Sequence, residues 1–174
     1  MTNLPIDEVI KLNKRKELLL FLGYFGKIYQ SCLFALGSTD YLSGTILMRS
    51  LFELLVGIST EKNGSMKDRI HSIQFFDEQE KKDLDNTWNL LCAWAHPYGK
   101  WEKNICPIYY GSTRICNPSL FKQCLEYSNI ILDFMLTAIY ETLNISIENY
   151  SDSLASFFLE ELPMFYKRSN SKET

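Results

Sequence analysis

The chain has two histidines in 174 residues, no Cys-x2-Cys pair, no glycine-rich phosphate loop and no surplus of positive charge. The missing cysteine knuckles remove the strongest sequence signal for structural zinc. Without a glycine-rich loop there is no P-loop and no dinucleotide fingerprint. A net charge of −3 leaves no global basic footprint, which argues against non-specific duplex binding but not against a local basic patch. No paired carboxylates stand at a catalytic spacing, and there is no internal repeat or low-complexity block. The first residues, Met-Thr-Asn-Leu-Pro-Ile-Asp-Glu, lack the basic region and apolar run of a secretory signal. Five cysteines in that setting read as reduced thiols, so the expectation is a cytoplasmic protein with no membrane partner.

What is present is apolar and helical. A hydrophobic fraction of 46%, with 14% aromatic, is enough for a real core and too much for a disordered chain. Strand-like alternation is scarce, while helical periodicity predicts long helices over about 6–36, 41–62, 76–95 and 119–143. Shorter ones are expected over 66–73 and 151–162. Gly37 should end the first, with Ser38-Thr39-Asp40 capping the second, and Asp77 should cap the fourth. The fold class is therefore all-α, an antiparallel bundle of four long helices plus short ones. It is read as one domain over 1–165, with an aromatic-rich loop at 97–118 and a polar tail at 166–174, frayed from Lys167. Residues 18–37 approach the length of a membrane span, but Lys16, Lys27, Gln30 and Ser31 fall on one side, the pattern of a core helix with a wet face.

Two places stand out as chemistry. The stretch Trp88-Asn-Leu-Leu-Cys-Ala-Trp-Ala-His-Pro-Tyr-Gly-Lys-Trp101 reads as a helix end stopped by Pro97 and Gly99, with His96 in the last turn. A helix C-terminus favours a cation, so an imidazole there is tuned near neutral pH. On the second helix Arg49 and Glu53 lie four residues apart in otherwise apolar sequence. Buried charge is costly unless paired, so these two form a structural ion pair or serve a polar pocket facing His96.

Other constellations compete. Cys92, His96, Cys106 and Cys116 form a Cys-x3-His-x9-Cys-x9-Cys set that would suit zinc, but the spacing lacks short knuckles and Cys92 also fits a core position. The expectation is no metal and no cofactor. His71 reads as an exposed helix residue. In the loop, Trp101, Tyr109 and Tyr110 interleave with Lys100, Lys103 and Arg114; such a set either pins the loop to the bundle or stacks and holds single-stranded RNA.

Long paired helices, Arg-Ser-Leu-Phe-Glu on the second and His96-Pro97-Tyr98 ending a later one together resemble the HEPN superfamily. These are small all-α bundles common in prokaryotic toxin–antitoxin and antiphage systems, many of them dimeric, metal-independent RNases. His96-Pro97-Tyr98 matches the His-x-Tyr end of the motif of one branch. The arginine that family carries shortly before the histidine is absent, since Asn89, Leu90 and Leu91 occupy its positions. The resemblance implies a homodimer that binds RNA, or a metal-independent endoribonuclease, with RNA and a cognate antitoxin or defence-complex protein as partners. In the catalytic version His96 is the base, Arg49 the anion holder, Glu53 the orienter and Tyr98 an auxiliary group. The alternative is a non-catalytic interaction or scaffold subunit of a defence complex, with the aromatic loop as its interface.

Overall fold

The computed structural model describes residues 6–95, 118–143 and 161–171, and every regular element among them is a helix. The protein is all-α in these residues. In chain order the helices are α1 (Ile6–Gly37), α2 (Tyr41–Ser59), α3 (Met66–His71), α4 (Glu78–Ala95), α5 (Pro118–Leu143) and α6 (Pro163–Ser171).

Local chemistry sets most of these boundaries. Asp40 caps α2 by accepting from the Ser43 N–H at 3.1 Å. Gly37 ends α1 as expected, and the chain leaves the helix through Thr39, which sits in the left-handed region at φ 63°. Helix α2 stops at Ser59, earlier than its apolar period suggests, because Thr60 is extended and its hydroxyl accepts from the Lys62 N–H at 3.1 Å. Ser65 accepts from the Asp68 N–H at 3.2 Å to open α3, after a turn in which Gly64 takes φ 139°. Asp77 and Glu80 cap α4 reciprocally: each carboxylate accepts from the other residue's N–H at 2.9 Å.

Helix α2 lies at the centre, packed against α1, α4 and α5. Met48, Leu51, Phe52, Leu55 and Val56 are completely buried there. Phe52 and Phe76 both meet Phe134 of α5 edge-on, at 5.7 and 5.1 Å between ring centroids. Helix α1 contributes Phe21, Phe25, Cys32 and Leu36, and it approaches α2 closely where Gly44 leaves room for the Leu36 side chain. The stretch 18–37, weighed as a span from its sequence, is this partly buried helix. By length and composition α2 is the helix among the described residues apolar enough to cross a membrane. Lys16, Lys27, Gln30 and Ser31 are exposed as the periodicity requires. The same side also exposes Leu20, Tyr24 and Phe34, the last by 76%.

The C-terminal region adds to the sequence expectation. Helical structure stops at Glu161, just before Pro163, as expected, but the residues from Lys167, read as frayed, belong to a further helix. Pro163 occupies the first position of α6, where its missing N–H and fixed φ suit a helix start. Arg168, far from being part of a loose tail, is only 9% exposed.

Candidate functional site

Helical spacing puts Arg49 and Glu53 on one face of α2, one turn apart, and their Nη2 and Oε1 atoms meet at 2.9 Å. The pair sits at the margin of the core, with side chains 24% and 42% exposed, so neither charge is entombed. Across from it α4 supplies Trp88, whose ring centroid lies 5.2 Å from the Arg49 guanidinium carbon. Trp88 is itself stacked on Phe52 at 5.9 Å, which ties the aromatic surface under Arg49 to the buried centre of α2. One turn further along α4, Cys92 lies within the electrostatic reach of both Arg49 and Glu53. Burial pushes its thiol up, with Arg49 acting in the opposite direction.

Of the residues singled out from sequence, the structure therefore brings together Arg49 and Glu53 and sets them against the half of α4 that precedes His96. His96, Tyr98, Lys100, Trp101, Lys103, Tyr109, Tyr110 and Arg114 lie outside the described residues, as do Cys106 and Cys116. Cys92 is a free thiol, and no metal-holding group of carboxylate, cysteine and histidine side chains occurs among the described residues. Trp94 is a core anchor: it is 2% exposed and meets Tyr127 edge-on at 5.4 Å. His71 is exposed beside Glu78, with Nδ1 and Oε2 3.9 Å apart. Burial carries the thiols of Cys32 and Cys124 up to about 11 and about 12, so neither is a nucleophile at neutral pH.

Chemically, the α2–α4 margin offers a guanidinium fixed on one side by a carboxylate and backed by an indole. Such a group is pre-oriented to receive an anion, which would exchange with or join Glu53 as its partner.

A second polar cluster escaped the sequence reading. Asp133 of α5 is 2% exposed and accepts from the N–H groups of Met164 and Phe165 at 2.9 and 2.8 Å. Burial raises its carboxyl to about 6 in spite of those two donors and the nearby Arg168. Arg168 pairs with the equally buried Glu80, and its Nη2 also donates to the Phe75 carbonyl. The available signal was Asp133 itself, a lone acid in the run Ile130-Ile-Leu-Asp-Phe-Met135. No family model, curated protein or solved structure matches this chain.

Proposed function

We propose that this chain is an HEPN-like RNA-binding protein with metal-independent endoribonuclease activity, built as an antiparallel bundle of four long helices and acting as a cytoplasmic homodimer in prokaryotic defence or a toxin–antitoxin pair. The observation that carries the reading is the Arg49–Glu53 pair, half-open to solvent and packed beside Trp88 and Cys92 on the helix that leads to His96. In this reading Arg49 stands in for the arginine that the resemblance calls for and the chain lacks. In metal-free cleavage a base takes the 2′-OH proton, the oxygen attacks phosphorus, and the 5′-oxygen leaves with a proton, giving a cyclic phosphate. His96 is the base, Arg49 stabilises the phosphorane charge, Glu53 orients, and Tyr98 assists. Lys100, Trp101, Lys103, Tyr109, Tyr110 and Arg114 hold the single strand.

The test is cleavage and binding of a fluorescent single-stranded RNA by the purified protein in EDTA. Cleavage should disappear in His96→Ala and fall on the order of 10²–10³-fold in Arg49→Ala, the usual loss for an electrostatic group in a transition state. A wild-type protein that neither binds nor cuts RNA sinks the proposal.

One observation favours a second reading, a non-catalytic interaction subunit. Leu20, Tyr24 and Phe34 are large apolar side chains exposed on α1 among polar neighbours, and a partner would cover them. Under that reading Phe34→Glu abolishes partner retention and His96→Ala leaves it intact.

A further inference from the structure

Helix α6 is held differently from the rest of the core. Its apolar anchors, Leu162 and Phe165, form a small cluster with Tyr140 that is distinct from the main core and borders it through Leu132 and Leu136. Among the described residues, its hydrogen bonds and ion pairs reach partners far away in the chain. Asp133 receives the first N–H groups of the helix. Arg168 inserts between Glu80 and the Phe75 carbonyl, lies 5.1 Å from the Phe76 ring centroid and approaches Glu141 at 3.5 Å. Lys167 meets Asp77 at 2.5 Å, and the Asn129 amide donates to Glu161 at 2.7 Å just before the helix.

A buried ion pair roughly breaks even against the water it gives up, so this network adds specificity of docking more than strength. Removal of α6 would also leave little stranded. Glu80 keeps its reciprocal cap with Asp77, and the Phe75 carbonyl and the Asp133 carboxylate pass to water.

We propose that α6 is a strap that docks and undocks as one unit, closed by the Arg168–Glu80 pair and the Asp133 cap, while the helices around α2 remain folded. Protonation biases it. Among the described residues Asp133 faces Glu80 from α4 and Arg168 from α6. Glu141 on its own helix, with Asp77 and Lys167, completes the network around Arg168. The docked carboxyl titrates at about 6, whereas a solvated one titrates near 4. The docked form therefore holds the proton more tightly, and the strap closes in mild acid and loosens toward neutrality.

Amide hydrogen exchange on the full-length protein tests this, read at Met164 and Phe165 against Leu51 and Phe52 in α2. After correction for intrinsic rates, protection at Met164 and Phe165 should be well below that of α2. Relative to α2, it should fall about tenfold between pH 5 and 7.5, the change linkage predicts for such a titration. Asp133→Asn should abolish the pH dependence, and Arg168→Gln should open the strap at every pH while α2 stays protected. If Met164 and Phe165 exchange only when α2 does, or show no pH dependence relative to it, the strap does not exist.

Discussion

Arg168 and Glu80, 88 residues apart in the chain, meet as a two-pronged ion pair, Nη1 to Oε1 at 2.9 Å and Nη2 to Oε2 at 2.5 Å. Both are under a tenth exposed, so each is the condition for burying the other. Arg168→Ala should leave Glu80 uncompensated while α6 is docked and weaken the docked state by up to about 3 kcal/mol, the usual cost of breaking a buried pair from one side. The double replacement Arg168→Met with Glu80→Leu should recover most of it. Urea unfolding of the three proteins checks both outcomes, and equal losses in single and double variants would contradict the pairing account.

Stability should also carry an unusual pH signature from two aspartates with opposite shifts. Asp133 is raised to about 6 by burial, so the folded state takes up its proton first as pH falls. Its contribution to stability grows between pH 6 and about 4, by about 3 kcal/mol, and then levels off. Asp77 is lowered to about 2 by its hydrogen bond with Lys167. The stability it contributes is present above about pH 4 and is lost as pH falls toward 2. Urea midpoints followed from pH 7 to 2 should show the first trend vanish in Asp133→Asn and the second weaken in Asp77→Asn.

Gly44 of α2 and Gly23 of α1 should respond to alanine with opposite sign. A methyl at Gly44 would stand 2.5 Å from the Leu36 Cδ2, and Leu36 is fully buried. Gly44→Ala should therefore cost about 1–3 kcal/mol through forced repacking. Gly23 sits mid-helix with nothing within 4 Å of an added Cβ, so Gly23→Ala should stabilise by about 0.5–1 kcal/mol. Thermal melts distinguish the two directly.

Thr39 is a β-branched residue held at φ 63°, a conformation that costs it about 1–2 kcal/mol. Thr39→Asn should relieve part of this and raise stability by about 0.5–1 kcal/mol, because asparagine tolerates the left-handed region better. A lower melting temperature in the variant would mean that the Thr39 side chain contributes contacts that outweigh the strain.

Much of this architecture was legible before the structure. The helical period of the apolar residues, the caps at Asp40 and Asp77 and the exposed side carrying Lys16 and Lys27 all follow from interactions spanning a few residues. The Arg49–Glu53 pair was legible for the same reason, since the two lie one helical turn apart. The reading missed the helix formed by the polar residues after Pro163. Composition there says tail, and only partners distant in sequence bury Phe165 and Arg168. Phe34 is exposed on the same side of α1 as Lys27 and Ser31, as helical spacing dictates.

The sequence by itself determined that the described residues are helical, where most of their helices begin and end, and that Arg49 and Glu53 share a face, because backbone propensity, capping and helical spacing act within a turn or two. Only the tertiary structure decided that Trp88 backs Arg49, that Asp133 caps a helix thirty residues away, and that Arg168 pairs with Glu80. Those contacts depend on which helices pack together, and burial then raises the cost of an unpaired charge high enough to make its partner obligatory.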